Sequence, residues 1–198
     1  MRFPLTLRFK ILALAPQVSV RDADGAELLY VHQKLFKLKE RIAVYRDASK
    51  GEPVYGIAAD RVLDFSASYA FTDAAGRPIG SVKRAGIKSL WRARYDVADA
   101  SGRQVLEIEE ENPAVKLLDA LLGEIPIVGM IAGYVLHPRY VVAESGTGSP
   151  LLRVTKRRSL VEATFSVSAE PAAAMTPELE TAAVLAILTM VLLERSRG

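Results

Sequence analysis

Two histidines are the natural starting point for chemistry, because imidazole serves as both base and metal ligand. They are His32, beside Gln33 and Lys34, and His137, before Pro138. Neither stands in an H-x-x-x-H or H-E-x-x-H spacing, so neither brings a second ligand onto one helical face. With no Cys in the chain, thiolate metal sites, Cys nucleophiles and disulfides are all excluded. Glu107, Glu109, Glu110 and Glu111 form an acidic run that could in principle do acid–base work or hold a cation. It reads better as the solvated end of a strand. Asp60, Arg61 and Asp64 read as a surface ion pair. Ser145-Gly146-Thr147-Gly148-Ser149-Pro150 is a turn, not a phosphate loop, since no Lys-Ser/Thr pair or helix follows it. No nucleophile–base pair is legible, and the expectation is a non-enzyme without metal or cofactor.

The remaining chemistry is charge. The 198 residues carry 26 Lys+Arg against 23 Asp+Glu, for a net of +3. Half the residues are hydrophobic and a quarter charged, which excludes a disordered chain. This length predicts a single domain over 1–198. No run of 18 apolar residues codes a spanning helix. The amino terminus, with Ala13-Leu14-Ala15, could pass for a signal peptide. Arg8 and Lys10 interrupt its apolar stretch, and Leu5, Leu7 and Phe9 alternate with polar residues as a half-buried strand does. A cytoplasmic location is therefore expected.

The elements that would position the charges come from an internal repeat. Alternating runs flank Asp22-Ala23-Asp24-Gly25, Asp73-Ala74-Ala75-Gly76 and Asp99-Ala100-Ser101-Gly102. The aspartate can bond the turn backbone, and the glycine supplies the positive φ that closes a hairpin with a bulge. Looser copies surround Asp47 to Gly51 and Gly146 to Gly148. Five hairpins, with Thr6–Lys10 and Val161–Val167 added, predict twelve strands and hence a sandwich or barrel.

Two segments break the pattern. From Thr176, a cap, Pro177, Glu178 and Glu180 announce a helix over 177–195. Ala182 to Leu193 is apolar on every face except Thr189, so this helix must be buried. Its twelve apolar residues span about 18 Å, too short for a ~30 Å bilayer core. A barrel of more than eight strands leaves a lumen, and a helix of about 10 Å diameter fills one. The predicted fold is mainly β: a twelve-stranded closed antiparallel barrel around a central hydrophobic carboxy-terminal helix. The second segment, 112–138, is a helical and apolar insertion. Its Gly129 and Gly133 pair allows close backbone approach. It is read as a lid over one mouth, with a lipid or dimer contact as the other reading.

If consecutive strands run up and down, the five hairpin turns share one end. That end collects Asp22, Asp24, Asp47, Asp73, Asp99 and Glu144, partly offset by Lys50, Arg77 and Arg103. The opposite end collects Lys34, Lys37, Lys39 and Arg41 from one connection. Lys83, Arg84, Lys88, Trp91, Arg92 and Arg94 come from a second, and Lys156, Arg157 and Arg158 from a third. The insertion adds Ile127, Val128, Met130, Ile131, Tyr134 and Leu136 as apolar docking candidates. A basic rim with apolar groups and a Trp suits an anionic lipid surface. The expected partner is such a surface or its headgroups. A protein partner or second copy on the insertion is the alternative. Nucleic acid is disfavoured, because the strands show no aromatic stacking platform.

Leu5–Lys10, Val18–Arg41 and Asp64–Val97 resemble the LURP-one-related proteins of the tubby carboxy-terminal-like superfamily, which also includes phospholipid scramblases. The apolar helix from Pro177 matches the family's last element. The resemblance leaves out Asn112–Pro138. It implies the same closed barrel around a helix. It also implies a link to phosphoinositide binding through basic residues, with Lys34, Lys83, Arg84 and Lys156 as loose positional candidates. Scramblases carry a Cys-rich lipidation segment that this chain lacks, so scramblase activity does not carry over. The shared basic and apolar end leads to the expectation of a non-enzymatic cytoplasmic domain, peripheral on the inner face of a membrane.

Overall fold

The structure, a computed structural model, describes residues 1–10, 17–32, 41–60, 67–85, 93–111, 139–157 and 162–195. Twelve strands run in chain order: β1 (Leu5–Lys10), β2 (Gln17–Arg21), β3 (Glu27–His32), β4 (Ile42–Tyr45), β5 (Tyr55–Ala59) and β6 (Ser68–Asp73). They continue with β7 (Pro78–Arg84), β8 (Arg94–Asp99), β9 (Gln104–Glu110), β10 (Arg139–Glu144), β11 (Pro150–Arg157) and β12 (Glu162–Ala169). One helix, α1 (Pro177–Arg195), follows. Each strand pairs antiparallel with its chain neighbours, and β1 pairs with β12, so the sheet closes into a barrel. The final strand runs on to Ala169, past the expected end at Val167, because Leu152 of β11 still pairs there.

The repeated turn has one geometry in three places. The Asp22, Asp73 and Asp99 N–H groups donate to the carbonyls of Ala26, Arg77 and Arg103. The Gly25, Gly76 and Gly102 N–H groups donate to the carbonyls of the same three aspartates. The Asp22 and Asp99 Oδ1 atoms each accept N–H groups from two and four residues on, and Asp73 Oδ1 accepts that of Arg77. The glycines sit at φ near +80°, which only glycine adopts without strain. Register shifts at Val20/Arg21, Phe71/Thr72 and Val97/Ala98 place a bulge one pair before each turn. A bulge increases local twist and bends the strand, as barrel closure requires. The β10–β11 hairpin has its own bulge at Val142/Ala143. The β4–β5 connection differs. Ala48 N–H donates to Glu27 Oε2 at 3.1 Å, and Lys50 Nζ lies 3.4 Å from His32 Nδ1. This loop folds back over the outer face of β3.

Alternation assigns the two faces of every strand. Leu5, Leu7, Phe9, Val18, Val20, Phe71, Val97, Leu106, Ile108 and Val154 are fully buried and point inward. They form one core with α1, in which Ala182 to Leu193 is buried throughout, Thr189 included. Thr176 caps this helix: its Oγ1 accepts the Leu179 N–H at 3.3 Å. Glu180 in the first turn meets the amino-terminal ammonium at 2.9 Å. The helix passes nearest to β6, β7 and β8. None of the described helices is long and apolar enough to cross a membrane. The insertion at 112–138 lies outside the described residues.

Candidate functional site

The closed order of neighbours fixes the two rims. Strand β12 leads into α1 at the rim of the hairpin turns, and the other six connections, among them the longest at 111–138, join strands at the opposite, long-connection rim. At the hairpin rim much of the acidic charge is matched within its own turn. Arg77 Nε sits 2.7 Å from Asp73 Oδ2, Arg103 Nη2 3.2 Å from Asp99 Oδ2, and Arg2 pairs with Asp24. The turn hydrogen bonds hold these carboxyls below the usual aspartate range: the Arg77 backbone N–H acts first on Asp73, and the Ser101 hydroxyl first on Asp99. The Ser49 hydroxyl does the same for Asp47.

At the opposite rim, strand parity divides the candidate cations. Lys83 lies on the outer face of β7 and is exposed. Arg157, exposed at the end of β11, donates from Nη2 to Ser166 Oγ at 3.3 Å. Arg84 and Lys156 share strand faces with the buried Val82 and Val154, so they belong to the inner mouth. The Arg84 guanidinium lies 5.9 Å above the Tyr95 ring centroid, within the ~6 Å reach of a cation–π contact. Arg41 is tied down: its Nη2 donates to Thr72 Oγ1 at 2.6 Å, passing over Gly56, where a Cβ would meet its Nε at 2.6 Å. Tyr69, on the inner face of β6, has its phenol pKa raised by burial first and by Asp60 second.

The acidic run is split by the same parity. Glu107 and Glu109 face outward and bracket Arg94 at 3.1 and 3.2 Å, with Asp96 at 3.2 Å from the same side chain. Glu111 and Glu170 both pair with Arg153. Glu110 points inward, is 1% exposed, and accepts the Ala93 N–H at 3.5 Å. Asp60 accepts the Ser68 N–H at 2.9 Å. Sequence reading treated the glutamates as one group and missed the buried Glu110. The two-residue alternation of β9 is the signal that separates it. Among the described residues, no group of three or more His, Asp or Glu could hold a metal. Lys34, Lys37, Lys39, Lys88, Trp91, Arg92 and Arg158 lie outside the described residues, as do Ile127, Val128, Met130, Ile131, Tyr134 and Leu136.

The family model described as LURP-one-related matches residues 27–94. Over that segment the chain is similar to the LURP-one-related family. The matched segment runs from β3 to the start of β8 and includes the β6–β7 hairpin with its Asp73 turn. An X-ray structure of a protein from Arabidopsis thaliana is similar throughout. It is 15% identical, with a TM-score of 0.51, over 96% of this chain and 91% of that one. At that identity the likeness speaks for the fold alone, the closed twelve-stranded barrel expected from the sequence. No curated protein matches.

Proposed function

We propose that this LURP-one-related barrel is a non-enzymatic binding domain whose long-connection rim docks peripherally on an anionic membrane surface, on the inner face of the membrane. The observation that supports it most is the order of strands. Strands β3, β7 and β11 all end on one rim, where β4, β8 and β12 begin. Those strand ends and the sequence that follows them carry the Lys34–Lys39, Lys83–Arg92 and Lys156–Arg158 clusters. Lys83 and Arg157 are exposed on that rim, whereas the hairpin rim pairs its arginines with its own aspartates.

Each basic group near an anionic surface contributes about 1 kcal/mol, so removing two should weaken docking roughly thirtyfold. Co-sedimentation with phosphatidylcholine vesicles containing phosphatidylserine, at low salt, tests this with Lys83→Gln combined with Arg157→Gln. Equal sedimentation of the variant and the native chain, or no sedimentation of the native chain, would count against the reading.

A further inference from the structure

The outer wall of β1, β2 and β3 carries a groove of about 230 Å³. Its floor is a row of cross-strand neighbours: Arg8 stands opposite Ser19, and Ser19 opposite Tyr30. Lys10 and Gln17 pair at one end of the row. Arg21 and Glu27 pair at the other, their side chains 3.5 Å apart. The folded-back β4–β5 loop forms the remaining edge through Ala48.

From this groove we propose a binding site for a phosphate monoester, held between Arg8 and Lys10 with Ser19 and Tyr30 beneath. Nearly every described side chain that lines it donates hydrogen bonds, and Glu27 is the one carboxylate among them. Glu27 is itself engaged, accepting the Ala48 N–H and facing Arg21. Arg21 and Glu27 offset each other, which leaves Arg8 and Lys10 as the remaining charges among the described lining residues, with Glu162 of β12 opposite Lys10 in register. A phosphate monoester carries about −1.5 to −2 at pH 7, which matches that pair. Arginine offers a planar fork to two phosphate oxygens, and lysine a point charge. Tyr30 remains a donor at every physiological pH, because burial and then Glu27 raise its pKa. The volume sets the scale: it is below the roughly 300–1,000 Å³ of pockets for drug-sized ligands, so the groove takes a headgroup rather than an extended molecule. The site is separate from rim docking, since it uses neither Lys83 nor Arg157.

The test is an NMR titration of the full chain with inorganic phosphate, against chloride at matched ionic strength. Saturable shifts at the Arg8, Ser19 and Tyr30 amides are expected with phosphate and not with chloride. Arg8→Gln combined with Lys10→Gln should weaken phosphate by about tenfold or more at an unchanged melting temperature. Tyr30→Phe keeps every charge and should weaken it by a smaller factor. Glycerol 3-phosphate and phosphatidic acid vesicles then compete for the site. Displacement by the vesicles alone identifies a lipid headgroup, and displacement by the soluble ester a free metabolite. Shifts that do not saturate, equal shifts with chloride, native affinity in the double variant, or displacement by neither competitor would overturn the proposal.

Discussion

Thr189 donates its hydroxyl to the Leu185 carbonyl at 2.8 Å, inside a stretch of helix that touches no water. The one polar side chain in the buried stretch of the helix is therefore satisfied by its own helix, one turn back. It asks nothing of the surrounding strands, which can be wholly apolar there.

That arrangement predicts a sharp contrast between neighbours on α1. Thr189→Val removes a donor and leaves no buried group stranded, so the urea midpoint should move by less than about 1 kcal/mol. Leu185→Ala leaves a cavity and should cost about 2–5 kcal/mol. Leu185→Asp buries an unpaired carboxylate and should yield no soluble folded protein. A folded Leu185→Asp variant with native stability would mean the helix is not the centre of the fold.

Gly102 sits at φ +83° with open space where a Cβ would stand. Gly102→Ala therefore meets strain alone, without a clash, and should cost about 1–2 kcal/mol. Gly51, with no positive φ and equally open space, is the control. Gly51→Ala should leave the midpoint of thermal unfolding in place. Equal effects at both positions would remove the case for a turn-specific role.

The turn aspartates predict an acid limb. Asp47, Asp73 and Asp99 have folded pKa values below the unfolded one, so each turn is more stable when charged. Their contribution is complete above the unfolded value of about 3.9 and fades as pH falls through the lower folded values. Stability from urea titrations should be level in this respect from pH 7 down to about 4, then decline. Asp73→Ala together with Asp99→Ala should flatten the decline. An unchanged acid limb in that double variant would refute the assignment.

Lys83 and Arg84 are adjacent in sequence and opposed in space. Lys83→Ala should weaken vesicle binding about fivefold while leaving the melting temperature unchanged. Arg84→Ala removes the contact over Tyr95 and should lower the melting temperature. Identical behaviour in both assays would show that strand parity does not govern the rim.

Local signals were the legible ones. The Asp73–Gly76 turn is specified by two residues whose geometry depends only on their own backbone, so it can be read one copy at a time. The helix was legible for the opposite reason: Ala182 to Leu193 offers no face to solvent, and a closed sheet is the one neighbour that covers all sides. What stayed hidden needed pairing. Arg8, Ser19 and Tyr30 are unremarkable on three separate strands and become a row only once β1–β2 and β2–β3 are in register. The charge of the rim was over-counted for a related reason. Clusters such as Lys83-Arg84 and Lys156-Arg157 alternate across a strand, and half of each faces the inner mouth.

Closure through β1 and β12 has a consequence for biosynthesis. Leu5 of β1 finds its partner Val167 only after the ten strands between β1 and β12 have been translated. The helix that fills the space is made later still. Eleven seams can zip as they emerge, yet their greasy inner surface stays uncovered until the last turn of α1 leaves the ribosome. The nascent chain must rely on being shielded, or on being quick, until then.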